Sequence, residues 1–370
     1  MKVGVPKEIK RFESRVSMTP DGVRSFKAAG HEVYVEKGAG VGAQLTDEQY
    51  AKAGAVILDS HAEVFAVAEM VYKVKEPLKE EYELFRQGQL LFTYLHLAAD
   101  KDQALALTVK KVTGIAFETL QLDNGHLPLL EPMSEVAGRL SVQEGAKYLE
   151  KTFGGRGILL GGIPGVPRGN VVIIGGGVVG ANAAKIAVGM GARVTMMDIQ
   201  KSVLQRYDDF YGVAIETMFS TPGNIERCLE SADLVIGAVL IPGASAPKLI
   251  TEEHLRVMKK GAVIVDVAVD QGGCCAYTKA TYHDDPIFYV DGVVMYCVAN
   301  MPGAVPVTST WGLSYATLPY GLKIANLGIK EAAKDPAILK GINTFAGSIT
   351  HPQVAESLNI AYKKITPDLL

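Results

Sequence analysis

Three closely spaced glycines form the clearest chemical signal in the sequence. Gly175, Gly177 and Gly180 follow an apolar run at residues 171–174 with the spacing G-x-G-x-x-G, and a helical segment comes next. This pattern is typical of a turn that binds the pyrophosphate of a dinucleotide, because the glycines allow a tight turn, close backbone approach and close helix packing. The N-terminus of the following helix also favours an anion. The pattern predicts a dinucleotide site.

An acidic residue ends the next apolar segment, residues 194–197. Asp198 can accept hydrogen bonds from ribose hydroxyls, and its charge repels a 2′-phosphate. The cofactor is therefore predicted to be NAD rather than NADP. Lys201 lies close enough in sequence to keep NADP open as a minor alternative.

Two titratable side chains follow strongly apolar segments. His96 comes directly after residues 90–95, and Asp270 follows residues 262–268. Ligands bind at the carboxyl ends of the strands in open α/β sheets. Histidine titrates near neutral pH, with an unperturbed pKa of about 6.5, so His96 is a candidate for proton transfer. A structural role for His96 and a solvated loop role for Asp270 both stay open from position alone.

Basic side chains at two further strand ends are candidate anion-binding groups. Lys75 ends the segment 70–75, but strand alternation places Lys73 on the same face, so position alone does not choose between them. Arg15 lies in the first predicted strand-to-helix loop, where a guanidinium can bind a carboxylate through two hydrogen bonds. Arg11 competes with it for this role.

Alternating strands and helices must position these residues. Residues 1–130 alternate between short apolar strands and helical segments, which predicts an α/β unit with a parallel sheet. A long helix is predicted at 133–151, with Ser134 as its N-cap. Six strands are then expected, the number in a full Rossmann sheet. They are residues 171–174, 194–197, 213–219, 234–240, 262–268 and 293–298.

The remaining residues suggest how the chain is divided. From about residue 306 the sequence reads as mostly helical, and this segment is too short to form a good core alone. We therefore expect it to return to the first unit. The predicted fold class is α/β, with two doubly wound domains: residues 1–130 with 306–370, and residues 131–305.

Composition excludes several classes of protein. The 370 residues carry a net charge of −3, with 48% hydrophobic and 21% charged residues, and no basic stripe indicates nucleic-acid binding. No apolar run approaches the length of a membrane span, and the first residues do not resemble a signal peptide. The cysteines do not match metal or disulfide patterns, so no metal and a cytoplasmic location are expected. They are Cys228, Cys274, Cys275 and Cys297.

Several motifs together make the chain resemble the bacterial alanine dehydrogenase family from end to end. The glycine fingerprint is one of them. The others are GVPKEIK at 4–10, YKVKEP at 72–77, LFTYLHLAAD at 91–100, PMSEVAGR at 132–139, GAVLIPGA at 237–244, VIVDVAVDQGG at 263–273 and VANMPGAVP at 298–306.

The resemblance implies a fold, a reaction and an assembly. It implies a Rossmann NAD-binding domain and a Rossmann-like substrate domain around a cleft, the latter built from both chain ends. It implies reversible oxidative deamination of L-alanine to pyruvate and ammonium, with hydride transfer to NAD. It also implies a homohexamer.

The resemblance assigns roles to individual residues. Arg15 corresponds to the clamp for the substrate carboxylate, and Lys75 to a group that binds the carboxylate or carbonyl oxygen. His96 and Asp270 correspond to the acid/base pair. The implied cofactor contacts are Ser134, Gly175, Gly177, Val178, Val179, Gly180, Asp198, Ser220, Val239, Leu240, Val267, Val269, Val298, Asn300 and Met301.

The sequence departs from the family pattern at several positions. Val203 stands where family members carry a basic residue, Met295 where a histidine is common, and Val307 where an arginine is usual. Residues 314–317 replace a T-N-x-T segment. These changes concern cofactor affinity and subunit packing more than the reaction.

One alternative function has a related fold. The NAD(H)-binding component of a proton-translocating transhydrogenase would need a membrane partner. It would not need Arg15, Lys75 and His96 together, so the alanine reaction is the preferred interpretation.

Overall fold

The computed structural model describes residues 1–239 and 246–370 and contains strands throughout both ranges. In chain order the strands are β1 (Lys2–Val5), β2 (Glu32–Glu36), β3 (Val56–Leu58), β4 (Met70–Tyr72), β5 (Leu90–Thr93), β6 (Thr113–Ala116), β7 (Asn170–Ile174), β8 (Arg193–Asp198), β9 (Ile215–Phe219), β10 (Leu234–Gly237), β11 (Val263–Asp266), β12 (Ile287–Val290), β13 (Val293–Tyr296), β14 (Ile342–Phe345) and β15 (Ser348–Ile349).

Helices connect most of these strands. They are α1 (Pro20–Ala28), α2 (Asp47–Ala53), α3 (His61–Val67), α4 (Lys79–Tyr82), α5 (Lys101–Val109), α6 (Glu131–Tyr148), α7 (Val178–Gly189), α8 (Lys201–Tyr211), α9 (Pro222–Ser231), α10 (Glu252–Val257), α11 (Pro306–Ala332), α12 (Pro336–Gly341) and α13 (Pro352–Leu358). Gly328 interrupts α11 with a non-helical backbone, φ 74° and ψ 161°.

The chain forms two compact units. Unit 1 comprises Met1–Met133 together with Val305–Leu370, and unit 2 comprises Ser134–Ala304. Each unit contains one sheet of mostly parallel strands. The α/β fold class expected from the alternation of strands and helices is confirmed.

Unit 1 contains an eight-stranded sheet in the order β15-β14-β6-β5-β4-β1-β2-β3. The strands β1 to β6 pair in parallel, whereas β14 pairs antiparallel with β6 and β15 pairs antiparallel with β14. The core on one side of this sheet mixes early and late residues, including Leu91, Leu95, Val354 and Leu358. The end of the chain therefore supports the strands that lead to His96.

The segment after residue 306 is mostly helical, as predicted, but it also contains two short strands that were not expected. β14 and β15 lie there and extend the first sheet. Their sequence signal is weak because β15 has only two residues and β14 only four. Pairing of β14 with β6 and of β15 with β14, which no local pattern reports, stabilises them.

Unit 2 contains a seven-stranded sheet in the order β12-β13-β11-β10-β7-β8-β9. Six strands are parallel, and β12 is an additional antiparallel strand at the edge. Sequence analysis missed β12 because its side chains are mostly half-exposed. Its signal was the dipeptide Asp291-Gly292, whose positive φ angles of 48° and 75° suit a two-residue hairpin turn.

Several predicted boundaries need correction. The helix predicted at 133–151 begins at Glu131, so Ser134 lies inside α6 and is not its N-cap. The strands predicted at 70–75 and 90–95 end at Tyr72 and Thr93. Lys75 and His96 therefore lie in loops that follow the strands. Within residues 1–239 and 246–370, the helices are too short or too polar to cross a membrane.

Candidate functional site

The glycine turn of unit 2 has the shape that a dinucleotide requires. Gly175 has a φ of 103°, and a Cβ there would lie 2.7 Å from the carbonyl oxygen of Ala238. A Cβ at Gly180 would lie 1.9 Å from the carbonyl oxygen of Gly175, so α7 packs tightly on the turn. A Cβ at Gly177 would meet no atom of residues 1–239 and 246–370 within 4 Å. A side chain at position 175 or 180 would therefore clash with the backbone, whereas the described residues leave space for one at position 177.

Asp198 holds this turn through backbone hydrogen bonds. Gly176 N–H donates to Asp198 Oδ2 at 2.8 Å, and Gln200 N–H donates to Oδ1 at 2.8 Å. The Tyr207 hydroxyl donates to the Gly176 carbonyl at 3.1 Å. A Cβ at Gly176 would lie 2.4 Å from Val203 Cγ1, so Val203 packs against the turn. The acidic residue therefore organises the backbone of the glycine turn from the strand beside it.

Ser220 carries a buried hydroxyl with an unused hydrogen-bonding capacity. Its Oγ has no partner among residues 1–239 and 246–370, while its backbone N–H donates to the Asp198 carbonyl at 3.0 Å. Buried polar atoms are normally paired. An orphaned hydroxyl directly after β9, next to Asp198, fits a site for a polar ligand. The residues of this edge therefore fit a dinucleotide.

The other predicted cofactor residues of unit 2 lie mostly in segments that follow its strands. Val178 and Val179 open α7. Val239, Val267 and Val298 follow β10, β11 and β13, and Val269 lies in a short 3-10 turn after β11. Ser134 and Leu240 differ from this group: Ser134 lies within α6, and Leu240 is outside the described residues.

Two loops of unit 2 carry the remaining predicted residues. Asn300 has a left-handed backbone with φ 58°, and the buried Met301 follows it. Asp270 is exposed and lies in the 3-10 turn Val269–Gln271. Beside it, Gln271 Oε1 is buried without a hydrogen bond within the described residues. Asp270 thus follows β11 at the carboxyl edge of its sheet.

Arg15 is a fully buried cation in unit 1. Glu13 accepts from Arg15 Nε at 2.7 Å and from Nη2 at 2.5 Å, and Arg15 Nη1 donates to Met133 Sδ at 3.0 Å. Burial lowers the pKa of Arg15, but the Glu13 carboxylate outweighs this effect and raises it. Arg11 is exposed, with its guanidinium 4.6 Å from the centre of the Phe12 ring. The structure therefore distinguishes a buried arginine, held in one orientation, from an exposed one.

Lys73 and Lys75 have different surroundings. Lys73 is buried and forms an ion pair with Glu81, and its Nζ lies 3.5 Å from Glu8 Oε2. Burial lowers the pKa of Lys73, but Glu8 and Glu81 outweigh this effect and raise it. A lysine between two buried carboxylates has a structural role. Lys75 is the better candidate for substrate binding.

Glu76 connects Lys75 with His96. Burial raises the pKa of Glu76, but the charges of Lys75, Lys10 and His96 outweigh burial and lower it. Lys10 forms an ion pair with Glu76 Oε1, whereas Oε2 is buried without a hydrogen bond in the described part of the chain. Lys75 and His96 therefore lie close to the same ionised carboxylate.

His96 is exposed and has a left-handed backbone with φ 49°. Its ring stacks on Tyr94, with centroids 5.8 Å apart and an interplanar angle of 9°. Burial raises the pKa of Tyr94, while the nearby Arg15 lowers it in part, so Tyr94 has Arg15 in its surroundings as well as the stacked ring of His96. Unit 1 therefore places Arg15 near Tyr94, stacks His96 on the Tyr94 ring, and places Lys75 and His96 near Glu76.

Comparison with known proteins gives matches over most of the chain. The Alanine dehydrogenase/PNT N-terminal domain model matches residues 4–137, and the Alanine dehydrogenase/PNT C-terminal domain model matches residues 141–352. The chain belongs to the alanine dehydrogenase/PNT family. An alanine dehydrogenase of Methanococcus maripaludis is 56% identical over 98% of both chains.

Two solved structures resemble the chain over nearly its whole length. One is an L-alanine dehydrogenase with 49% identity and a TM-score of 0.94, covering 100% of both chains. The other is a transhydrogenase from Sinorhizobium meliloti with 24% identity and a TM-score of 0.81, covering 95% of this chain and 99% of that one. The second likeness concerns the fold alone.

Sequence analysis missed three carboxylates around the candidate site. Glu13 pairs with Arg15, Glu76 lies beside Lys75 and His96, and Glu118 accepts the backbone N–H of His96 at 2.6 Å. Glu118 had a usable signal, because it directly follows the short apolar segment 114–117 and so is expected at the same sheet edge as His96. Glu13 had none beyond its closeness in sequence to Arg15. In residues 1–239 and 246–370, no group of three or more His, Cys, Asp or Glu side chains is arranged to hold a metal ion.

Proposed function

We propose that the chain catalyses the reversible, NAD-dependent oxidative deamination of L-alanine to pyruvate and ammonium. The observation that carries this proposal is the identity with alanine dehydrogenases along essentially the whole chain. The enzyme is an oxidoreductase that acts on the CH–NH₂ group of an amino acid. Its cofactor is NAD.

The proposal gives the two units different tasks. The substrate domain comprises residues 1–130 and 306–370, and the NAD-binding domain comprises residues 131–305. The division of the chain into compact units close to these bounds supports the assignment. The cluster of Arg15, Lys75 and His96 in unit 1 and the glycine turn in unit 2 support it further.

In unit 2 we assign the pyrophosphate to the N-terminus of α7, at Gly175, Gly177 and Gly180. The open space in front of Gly177 supports this assignment, because a phosphate needs close backbone approach there. Asp198 and Ser220 are assigned to the ribose at the ends of β8 and β9. The remaining assigned contacts are Ser134, Val178, Val179, Val239, Leu240, Val267, Val269, Val298, Asn300 and Met301.

In unit 1 we assign the substrate carboxylate to Arg15 and Lys75. The guanidinium of Arg15 is held by Glu13 and its charge is retained on burial, so it is organised before the substrate binds. Lys75, which lies near Glu76, adds a second positive charge in unit 1. Fixing the carboxylate at two points orients the α-carbon and its hydrogen, which contributes to the rate through positioning.

Proton transfer is assigned to His96 and Asp270. When bound, NAD supplies a hydride acceptor for the α-hydrogen of alanine. The resulting substrate iminium takes up water, and His96 accepts the proton that this water releases. Loss of ammonia from the carbinolamine then needs a proton on nitrogen, which His96 or Asp270 returns, and the hydroxyl proton leaves with the ammonia as ammonium when the carbonyl forms. The proton that the alanine ammonium loses before hydride transfer passes to solvent and is the net proton released. The exposure of both side chains supports exchange of the net proton with solvent.

We also propose that the enzyme is a cytoplasmic homohexamer. The resemblance to bacterial alanine dehydrogenases supports the assembly, and the four buried free thiols fit a reducing compartment. Sedimentation equilibrium of the purified protein tests the assembly directly. A mass other than six times the 39.5 kDa chain contradicts it.

The transhydrogenase alternative has less support. A transhydrogenase resembles this chain in fold at 24% identity, whereas alanine dehydrogenases share more than half of its residues. The substrate groups of unit 1 have no use in a protein that only carries NAD. We therefore retain the alanine reaction alone.

Absorbance of NADH tests the proposed reaction in both directions. Purified protein with NAD and L-alanine at alkaline pH should produce NADH, and pyruvate with ammonium near neutral pH should consume it. Omitting ammonium is the matched control, because a lactate-type reduction of pyruvate would not need it. Binding of NADH without turnover in either direction contradicts the proposal.

A further inference from the structure

The turn that carries His96 has an unusual backbone. His96 adopts the left-handed conformation, with φ 49° and ψ 32°. This region is sterically disfavoured for a residue with a Cβ. Its neighbours Leu95 and Leu97 are buried, whereas His96 is exposed. The left-handed residue turns the chain so that both leucines enter the core while the imidazole stays outside.

Glu118 holds this turn from the neighbouring strand. Its Oε1 accepts the N–H of His96 at 2.6 Å, and both of its oxygens accept the N–H of Leu95 at 3.2 Å. Hydrogen bonds to a carboxylate are stronger than those between neutral groups. One side chain thus fixes two consecutive peptide N–H groups at the left-handed residue.

A second side chain fixes the opposite side of the same peptide. The buried Gln103 donates from Nε2 to the Leu95 carbonyl at 3.0 Å. Gln103 lies on α5, and its own N–H donates to Asp100 Oδ1 at 3.0 Å. The Leu95 residue is therefore held through both its N–H and its carbonyl group.

The sheet explains how Glu118 comes to this place. β5 and β6 pair in parallel, with Thr93 opposite Ala116. Two residues beyond this pair, Leu95 and Glu118 leave the same edge of the sheet. The parallel register of β5 and β6 therefore places Glu118 next to the turn that contains His96.

We propose that Glu118 is a positioning residue that acts through His96. It holds the left-handed backbone of His96 and thereby directs the imidazole toward the reacting amine and water. The inference rests on the proposed function, in which His96 transfers protons. In this role Glu118 acts through its hydrogen bonds to the backbone of Leu95 and His96.

Glu118→Gln tests this role with little change in size. An amide has a single acceptor oxygen, and its NH₂ group would oppose one of the two N–H donors. We expect kcat for L-alanine oxidation to fall by about tenfold to a hundredfold, since small displacements of catalytic groups have such effects. The KM for L-alanine and the Kd for NADH should stay near the wild-type values, because Arg15, Lys75 and unit 2 are unchanged.

A double-mutant cycle with His96→Ala separates positioning from a general structural effect. If Glu118 acts through His96, Glu118→Gln should lower kcat no further in the His96→Ala background. Glu80→Gln, at an exposed position on α4, is the matched control and should keep wild-type kinetics. Circular dichroism and NADH binding check that each variant is folded.

Three results would overturn the inference. They are unchanged kcat in Glu118→Gln, an equal loss in the His96→Ala background, and a rise in KM that accounts for the whole loss of kcat/KM. Wild-type kcat in His96→Ala would instead refute the acid/base assignment on which the inference rests. Wild-type protein without alanine turnover would refute the proposed function before any variant is compared.

Discussion

Gly177→Ala separates cofactor binding from folding at the glycine turn. Gly177 has φ −73° and ψ −159°, so its backbone does not require glycine. A Cβ there would meet no atom of the described chain within 4 Å. Because Gly177 is also the N-cap of α7, where glycine is preferred to alanine, we expect a loss of at most about 1 kcal/mol in the free energy of unfolding.

The same methyl group would enter the space assigned to the pyrophosphate. Displacing the phosphates weakens charge-assisted hydrogen bonds to the N–H groups of α7, each worth about 1.5–3 kcal/mol. Losing one such bond raises the Kd for NADH by about tenfold to a hundredfold. Fluorescence titration with NADH measures this change, and thermal unfolding of the same samples measures stability.

Two further alanine variants make the result specific. Gly189→Ala lies at the other end of α7, also with no atom within 4 Å, and should change neither NADH binding nor stability adversely. Gly180→Ala would place a Cβ 1.9 Å from the Gly175 carbonyl oxygen and should destabilise unit 2 itself. Wild-type NADH affinity in a folded Gly177→Ala variant would refute the assignment of the pyrophosphate to this turn.

Two predictions concern the buried charges of unit 1. Burial lowers the pKa of His61, but Glu36 and Glu81 raise it to about 9, above its unfolded value of 6.5, so His61 contributes stability that is present below pH 6.5 and is lost as pH rises through about 9. The shift in pKa corresponds to about 3 kcal/mol of stability, which we reduce to about 2 kcal/mol because 19% of the side chain is exposed. Urea unfolding should show that His61→Gln is less stable than wild type by this amount below pH 6.5. An equal difference above pH 9 would contradict the assignment. Lys73→Met should destabilise the protein by about 3–5 kcal/mol, because it leaves Glu81 without its lysine, whereas Lys75→Met should mainly lower turnover. Urea unfolding measures the first effect and the rate of alanine oxidation measures the second. The reverse pattern would contradict the roles given to the two lysines.

The glycine turn assigned to the cofactor is predictable from the sequence because its signals are local. The spacing of three glycines, the apolar strand before them and Asp198 after the next strand all lie within 28 residues of chain, 171–198. The orphaned hydroxyl of Ser220 has no such signal. Whether a serine is paired depends on what packs around it, and composition does not report this.

The strand-end rule found His96 but not the group that holds it. Position after an apolar segment indicates His96 and Asp270, and it applies equally to Glu118, which directly follows the apolar residues 114–117. The parallel pairing of β5 and β6 sets the contact between Glu118 and His96, and that pairing is a tertiary fact. A strand-end search that includes every polar residue would have found both.

The sequence alone does not distinguish the roles of Lys73 and Lys75, because strand alternation predicts the direction of a side chain only within a strand. β4 ends at Tyr72, so the side chains of the two lysines are directed by loop geometry and by their partners. Glu8 and Glu81 come from other segments of unit 1 and surround Lys73 in the interior. Burial raises the pKa of Glu8 to about 7, and the charge of Lys73 lowers it in part, so Lys73 favours the ionised form of this buried carboxyl. The pairing that retains Lys73 in the core leaves Lys75 as the lysine beside His96.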